Sequence, residues 1–527
     1  MKKNQIKRWL AILTAGAMLF CLAACTKGGD QSGQSGQSAA GTQRGTLFQE
    51  PTELSIVISD HVSWPYNENW KMWQYLREAT GAELKVQAIP AADYKTKIAL
   101  MMSTPSELPD LMHIWEKPVV DEHAAAGAFL SYTDRMDKMP NLQAFLNTLS
   151  EEERQGMLAQ RTSGDGKIYS APSYGTGTVQ NLRTWMYRKD IFDKHKLQPP
   201  TTFGELYQVC KTLKELYPDS YPLCFRTGFM KFDEWGPSWA KDWATNAYYD
   251  FDQQKWFYGA KSPEMKQMVE YMLKMESEGL VPPDYLTMQT KSFEELMSTD
   301  RGFITLEYVV RFDFFNVANR EVNPDYHLAL LAPPVPDIPG GRAKLMKSNI
   351  DFYGYCVCNT GRDAQVDKAF QFVDWMYSDE ACELLSWGKE GETYRVADGK
   401  KEFILKDGDT PQNAYGVGTY GVYQRILPEA YEAQYTPQMV EYCHELMQYL
   451  EPQVNPTMWL PLEEDELQTI TNLKSELVSF MEENLSKFLL RQRPMSEWNQ
   501  FQKDLDSMGV EEMLSIYDTA YKRVMDK

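Results

Sequence analysis

Aromatic and acidic side chains stand just after several predicted strands, or where the chain is predicted to cross between two halves of a fold. They are Trp64, Tyr66, Trp115, Glu116, Tyr174, Asp351 and Tyr353. In open α/β sheets, small molecules bind outside the carboxyl ends of the strands. Flat aromatic faces with a few orienting polar groups are typical of such sites. The positions of these residues therefore predict contact with a bound small molecule.

The hydrophobic core is the alternative setting for each of these rings. The chain has 14 Trp, 30 Tyr and 23 Phe, and most rings of this size are buried in a folded protein. Trp235, Trp239 and Trp243 recur at four-residue steps, which a buried helical stripe explains as well as a ligand platform does. Position in the predicted topology is thus the main feature that separates binding rings from core rings.

Residue patterns for catalysis or phosphate binding are weaker than the pattern of aromatic residues after the predicted strands. The sequence contains neither GxSxG nor HExxH, and its six histidines show no metal-ligand spacing. Gly175-Thr176-Gly177 lacks the third glycine and the GK(S/T) of a phosphate-binding loop. Two carboxylates could still meet across a cleft in the folded chain, so an enzyme stays open as an alternative.

The amino-terminal residues have the anatomy of an export signal. A basic start is followed by an apolar stretch over residues 9–22 and by the sequence Leu22-Ala23-Ala24-Cys25. The apolar run is shorter than the about 20 residues that a transmembrane helix requires. A cysteine directly after small residues resembles the bacterial lipobox, which implies removal of residues 1–24 and acylation of the Cys25 thiol. Residues 25–46, rich in Gly, Ser and Gln, are then expected to form a flexible tether.

The length and net charge of the chain limit the kinds of protein that it can be. The chain has 527 residues and a net charge of −20 at pH 7. A folded part of this length is too large for one core, so at least two lobes are expected. The acidic balance opposes nucleic-acid binding. No second apolar stretch of 18 residues follows the leader, so we expect membrane contact through the lipid anchor alone.

The cysteines after the lipobox are expected to be buried thiols, because each falls in a helical or strand pattern where a small apolar side chain packs well. They are Cys210, Cys224, Cys356, Cys358, Cys382 and Cys443. None of them has the spacing of a zinc site. Export would permit disulfides, so their redox state stays open at this point.

Apolar periodicity predicts how these residues are positioned. Strands are expected at 53–59, 84–88 and 110–115, with a helix between each pair. This β-α-β-α-β start implies a parallel sheet. A second lobe is indicated by Thr202-Phe203-Gly204-Glu205 and Ser292-Phe293-Glu294-Glu295, each of which reads as a capping box that opens a helix.

Five segments resemble motifs of the solute-binding lipoproteins of carbohydrate ABC importers, in the group that serves larger oligosaccharides. Residues 165–172 read DGKIYSAP, similar to DGKxYxxP, and residues 186–192 are similar to YRKDxL. Residues 197–206 resemble LxxPxTxxEL, and residues 387–394 resemble WGxEGxxY. Residues 493–524 resemble the terminal helices of the family. Each motif is short, but the five occur in family order behind a lipobox.

This resemblance implies an α/β fold of two lobes, the type II periplasmic-binding-protein fold, with helical additions. Lobe 1 is expected over residues 47–172 with 355–420, and lobe 2 over 173–350 with 425–527. The lobes would close about the crossing segments when a ligand enters the cleft between them. Trp64, Trp115 and Tyr174 are then the expected stacking walls, and Glu116 and Asp351 the expected acceptors for hydroxyl groups.

The resemblance also implies a function. We expect the protein to capture an oligosaccharide, or a related polyol-like solute, and to deliver it to ABC permease subunits at the outer face of the cell membrane. We expect a monomer. We also expect no metal or organic cofactor, because residues 217–222, at the place of the calcium loop of some relatives, offer too few oxygen ligands.

Two other functions stay open. One is a surface glycan-processing enzyme, a lyase or a hydrolase, and the other is an adhesion lipoprotein that holds a glycan. The charge of the ligand also stays open. The acidic net charge opposes the binding of a polyanionic sugar, although Arg183 or Arg311 could create a local basic cleft.

Overall fold

A computed structural model describes residues 46–61, 64–104, 107–175, 182–226, 228–239, 244–346, 354–406, 409–451, 457 and 459–525. The predicted export signal, Cys25, Trp243, Asp351 and Tyr353 lie outside the described residues. Among the described helices, none combines the length and the apolar composition that a bilayer crossing requires.

Strands and helices alternate along most of the chain. The strands are β1 (Thr52–Asp60), β2 (Ala82–Pro90), β3 (Leu111–Ile114), β4 (Phe129–Leu130), β5 (Arg183–Arg188), β6 (Ala247–Asp250), β7 (Lys255–Tyr258), β8 (Ile304–Tyr308), β9 (Leu328–Leu331), β10 (Gly354–Cys358), β11 (Tyr394–Ala397) and β12 (Lys400–Phe403). The helices are α1 (Lys71–Thr80), α2 (Ala91–Met102), α3 (Lys117–Ala125), α4 (Pro140–Leu146), α5 (Glu151–Ala159), α6 (Lys189–His195), α7 (Phe203–Leu216), α8 (Met230–Trp235), α9 (Pro263–Ser277), α10 (Thr290–Ser298), α11 (Arg311–Arg320), α12 (Asp363–Trp375), α13 (Asp379–Trp387), α14 (Pro411–Tyr415), α15 (Pro428–Glu432), α16 (Pro437–Leu446), α17 (Glu464–Leu489), α18 (Trp498–Ser507) and α19 (Val510–Met525).

A five-stranded sheet collects strands from two distant stretches of the chain, in the order β2-β1-β3-β10-β4. β1 pairs in parallel with β2 and β3, whereas β10 is antiparallel to its neighbours. Ile56 and Ile58 face a large core that includes Trp73 of α1, and Val57 faces a smaller core that includes Ile98 of α2. Helices thus cover both faces, as parallel strands require. The predicted β-α-β-α-β start is confirmed.

A three-stranded antiparallel sheet, ordered β8-β5-β9, forms from later residues. Its central strand β5 is buried, and Trp185 on it packs against the rings of Phe203 and Trp235 at 5.8 and 5.7 Å. Trp235 and Trp239 are therefore core residues, which favours the buried-stripe interpretation of that pattern.

The segments that connect the two sheets run side by side. The backbone amide of Tyr174 donates to the Gln424 carbonyl at 2.9 Å, and that of Ile426 donates to the Tyr174 carbonyl at 3.0 Å. Gly175 has a φ of 103°, and a Cβ atom there would collide with the Ile426 carbonyl. Only glycine allows this close approach of two backbones. The residue boundaries of the two lobes stay a prediction.

The fold decides two further sequence predictions. The capping box at Ser292 is wrong, because α10 begins at Thr290 with Gln289 in extended conformation before it. Ser292 therefore lies inside the first helical turn, where its hydroxyl cannot act as the N-cap. The cysteine prediction is confirmed: the six cysteines that the structure describes are all free and buried.

Candidate functional site

The segments that follow β1 and β3 meet at one edge of the sheet, because these strands are parallel neighbours. The ring of Trp64 stacks on His61, with centres 3.6 Å apart and planes 7° from parallel. Tyr420 lies 5.7 Å from His61 and 5.6 Å from Trp115, and Tyr94 stacks on Trp115 at 4.7 Å. Trp64 and Trp115 therefore belong to one continuous set of five rings, which we call the ring row: Trp64, His61, Tyr420, Trp115 and Tyr94.

Tyr420 reaches the ring row from a glycine-rich turn, residues 416–421. Gly421 has a φ of 77°, a left-handed conformation that glycine adopts readily. A Cβ atom there would lie 2.7 Å from the Tyr355 hydroxyl and 2.8 Å from the Ile58 side chain. The Tyr355 hydroxyl also donates to the Gly421 carbonyl at 2.6 Å. The turn is thus held directly against β1 and β10, which places Tyr420 beside Trp115.

Both histidines of this region are neutral at physiological pH. Burial lowers the pKa of His61 to about 4, and the charge of Arg311 adds to this effect while Asp60 opposes it. His113 is buried next to the rings of Tyr355 and Tyr420, and burial lowers its pKa to about 4 as well. The ring row is therefore uncharged, and its accessible surface comes from the half-buried Trp64, His61, Tyr420 and Trp115, since Tyr94 is buried.

The other described residues of the predicted site lie in separate settings. Tyr66 packs edge-on against Trp70 and Trp73 of α1, at 6.5 and 5.8 Å between ring centres. The ring of Tyr174 lies 5.2 Å from that of Phe145 in α4. Glu116 follows Trp115 directly and precedes the first residue of α3. The structure thus brings Trp64, Trp115 and Glu116 to one edge of the sheet, while Tyr66 and Tyr174 contact core rings.

A cavity of about 240 Å³ opens beside Trp115, the member of the ring row that lines it. One wall is the segment that joins β3 to α3, and the facing walls come from the β6–β7 hairpin and from helices α17 and α19. Its ring-bearing and polar lining includes Trp115, Glu116, Asn246, Tyr258, Lys474 and Tyr517. Apolar ring surface, an amide, hydroxyls and charged groups therefore border a single space.

Two of the lysines around this cavity have carboxylate partners. Lys95 donates to Glu116 at 3.1 Å, on a solvent-exposed part of the wall. Lys117 forms an ion pair with Asp121 in which both side chains are buried. The Asp121 carboxylate also accepts a hydrogen bond from Ser163 at 2.6 Å. These cations are therefore already neutralised by the protein.

Lys474 of α17 is different, since no hydrogen bond or ion pair involves it among the residues that the structure describes. Its side chain lines the cavity and is exposed to solvent. The neighbouring walls still remove part of its hydration, which lowers its pKa; Lys95 acts in the same direction, whereas Asp233 and Glu116 oppose the shift. An uncommitted ammonium group is thus present in the cavity.

A second polar feature lies where β5 begins and β8 ends. We call it the ionic cluster, and it comprises Arg183, Arg226, Lys231, Glu234 and Glu307. Arg226 lies 2.7 Å from Glu307, and both Arg183 and Lys231 pair with Glu234. Burial acts against the ionised form of Glu307, but Arg226, Lys231 and Arg183 outweigh it and lower its pKa. Lys231, Glu234 and Glu307 are buried and the two arginines are half-buried, so the charges of the cluster depend on one another.

Both arginines that the sequence offered for a basic cleft have carboxylate partners. Arg183 pairs with Glu234 and lies over the ring of Tyr308 at 3.9 Å. Arg311 pairs with Glu294 at 2.7 Å. Neither guanidinium is an uncommitted positive charge.

The site can hold a ring-shaped solute that carries hydroxyl groups, because aromatic surface borders hydrogen-bonding side chains in a partly enclosed space. In the described part of the chain, no three His, Cys, Asp or Glu side chains lie together as ligands for a metal ion.

Sequence reasoning missed His61, Tyr94, Tyr420 and Lys474, and it also missed Asn246, Tyr258 and Tyr517 of the cavity lining. The available signal for Tyr420 was the repeated glycine at positions 416, 418 and 421, which indicates close backbone approach. Lys474 has no local signal, because the rings and polar groups that it faces across the cavity, such as Trp115 and Asn246, are far away in the sequence.

Comparison with known proteins identifies the class. Residues 67–381 match the family model described as bacterial extracellular solute-binding protein. Because the match spans more than half of the chain, the protein belongs to this family.

Several relatives are distant in sequence but can be aligned over most of the chain. The chain is 22% identical over 420 residues to lipoprotein LipO of Bacillus subtilis (strain 168), covering 76% of each protein. It is 22% identical over 560 residues to the fructooligosaccharide ABC transporter substrate-binding protein FusA of Streptococcus pneumoniae serotype 4, covering 99% of this chain and 98% of FusA. The solved structure of alginate-binding protein AlgQ2 without calcium ion matches with a TM-score of 0.74 at 20% identity, covering 90% of this chain and 99% of AlgQ2. The predicted two-lobed binding-protein fold is confirmed.

Proposed function

We propose that this protein is the substrate-binding component of an ABC importer and that it captures an oligosaccharide, or a related polyol-like solute. The ring row beside a partly enclosed cavity is the observation that carries the proposal. Membership of the solute-binding family supports it. FusA is a fructooligosaccharide substrate-binding protein and AlgQ2 an alginate-binding protein, which supports a carbohydrate as the ligand.

In this proposal the cavity belongs to a cleft between lobe 1, residues 47–172 with 355–420, and lobe 2, residues 173–350 with 425–527. The paired segments at Tyr174 and Gln424 act as part of the hinge, since they connect the sheets with few backbone contacts. Ligand shifts the population towards a closed form, and that form docks on the permease. The protein works as a monomer, without a cofactor and without catalysing a reaction on the solute.

Binding is tested by calorimetry of the processed protein with a panel of plant and microbial oligosaccharides. We expect stoichiometric binding of at least one carbohydrate, and mass spectrometry should recover it unchanged after long incubation. Shortened products would favour the glycan-processing enzyme instead. Uptake of the same labelled sugar should be lost when the gene is deleted, whereas an adhesion protein would leave uptake intact.

We also infer lipid attachment at Cys25, which holds the protein at the outer face of the cell membrane. The lipobox-like residues before Cys25 and the similarity to a protein named lipoprotein support this inference. Cys25→Ser should leave the precursor unprocessed or release the protein into the medium. Immunoblots of membrane and medium fractions, with intact-mass measurement, check the result. Membrane retention with an unchanged mass would contradict lipid attachment.

A further inference from the structure

We propose that the solute carries a negatively charged group, a carboxylate or a sulfate ester on a sugar, and that Lys474 binds this group inside the cavity. The inference rests on the proposed function and specifies its ligand class. Lys474 lines the same space as Trp115, Asn246 and Tyr258, so one sugar residue can contact ring surface, amide and ammonium together.

Nearby carboxylates do not satisfy Lys474, because they have other partners. Glu116 accepts from Lys95 at 3.1 Å. Asp233 accepts from the backbone amide of Thr245 at 2.7 Å and from its hydroxyl at 2.6 Å, and Asn246 donates to it at 3.3 Å. Of the three lysines around the cavity, Lys474 is thus the one whose charge remains available to a ligand.

Ligand binding would remove much of the remaining water around this ammonium group. A neutral sugar offers only hydroxyl oxygens in exchange, and burying a charge without an opposite charge is costly. A carboxylate or sulfate restores the lost interaction through a charge-assisted hydrogen bond. The cavity therefore favours an anionic sugar over a neutral sugar of the same shape, through a difference in affinity at one position.

The net charge of −20 does not prevent this recognition. Charges on the outer surface are screened over about 8 Å at physiological ionic strength. Lys474 instead meets the ligand at contact distance between two protein walls, where screening is weaker. Local charge in the cavity therefore outweighs the overall acidity of the chain.

The test uses matched pairs of ligands. Uronic-acid oligosaccharides, such as tri-galacturonate and mannuronate trimers, are compared by calorimetry with their methyl esters, and sulfated oligosaccharides are compared with their desulfated forms. The ester and desulfated members keep the rings and lose the charge, and the two series distinguish a carboxylate ligand from a sulfate ligand. We expect one acidic member to bind and its uncharged counterpart to bind about ten- to a hundred-fold more weakly.

Substitutions then test whether Lys474 causes the preference for the acidic ligand. Lys474→Met should lose the same about ten- to a hundred-fold for the acidic ligand, while affinity for the uncharged counterpart changes little. Lys474→Arg should retain the preference for the acidic ligand. Lys487→Met is the matched control, because Lys487 lies on the same helix and pairs with Glu483 outside the cavity lining. Circular dichroism checks that each variant is folded.

The outcomes separate this inference from the proposed function. A neutral oligosaccharide that binds more tightly than every acidic ligand would overturn the anionic class and leave the sugar-binding function in place. An acidic ligand with equal affinity for wild type and Lys474→Met would overturn the role of Lys474. If no carbohydrate of either kind binds, the proposed function fails and this inference fails with it.

Discussion

The ring row and the ionic cluster lie at the edges of the two sheets and differ in what stabilises them. The ring row is uncharged and its members interact through ring contacts with their neighbours. The ionic cluster combines two half-buried arginines with the buried Lys231, Glu234 and Glu307. Loss of one ring removes one contact surface, whereas loss of one charge leaves a buried or half-buried partner without its counter-charge. We therefore expect ring-row substitutions to change binding, and cluster substitutions to change stability.

The largest expected effect comes from breaking the ionic cluster. Glu307→Gln leaves Arg226 without its carboxylate partner and should lower the free energy of unfolding by about 3–5 kcal/mol. Glu402→Gln is the control, because the pair of Glu402 with Arg395 is solvent-exposed and such pairs contribute about 1 kcal/mol or less. Urea unfolding of both variants measures the difference. Equal destabilisation by the two substitutions would show that the cluster charges do not depend on one another.

A smaller effect is expected from the ring row, and it should appear in ligand affinity. Trp115→Ala or Trp64→Ala removes a large apolar surface and should weaken sugar binding by about 1–3 kcal/mol. Trp115→Phe keeps a ring between Tyr94 and Tyr420 and should retain much of the affinity. Calorimetry with the identified sugar measures these changes. If both alanine variants bind like wild type, the ring row is not the binding surface, although the family assignment stands.

The smallest expected effect is a pH dependence of stability caused by the buried His113. The pKa of this residue falls from 6.5 to about 4 on folding, so between these values the unfolded chain binds the proton and the folded chain does not. Stability is therefore complete above pH 6.5 and falls as the pH drops towards 4. At pH 5.5 the loss caused by His113 should be about 1 kcal/mol. His113→Gln should lack this part, while His61, whose pKa is lowered in the same direction, keeps its own contribution in both proteins. Parallel unfolding profiles for wild type and variant from pH 4 to 7 would exclude His113 as the cause.

Local patterns were sufficient for the elements at the start of the chain. The bounds of β1, β2 and β3 differ by at most two residues from the predicted strands, because alternation of apolar residues depends on near neighbours alone. The same type of reasoning failed at Ser292. A Ser-x-x-Glu pattern also fits inside a first helical turn, and tertiary contacts decide which residue precedes the helix.

Part of the binding site could also be predicted from the sequence. The sequence determined that aromatic residues follow β1 and β3, and parallel pairing implied that such residues meet at one sheet edge. It also determined the overall acidity, the set of cysteines and the family motifs. It could not determine which rings of the predicted set join the ring row. Tyr66 and Tyr174 were predicted on the same grounds as Trp64 and Trp115, and only their packing contacts set them apart.

Only the tertiary structure decided where charge remains available. The arginines at 183 and 311 have carboxylate partners from other elements, whereas Lys474 enters the cavity without one among the described residues. Whether a charge is paired depends on groups that are far apart in the chain and close in space. Burial then sets how strongly an unpaired charge needs a ligand, because the cost of losing hydration depends on the surrounding walls.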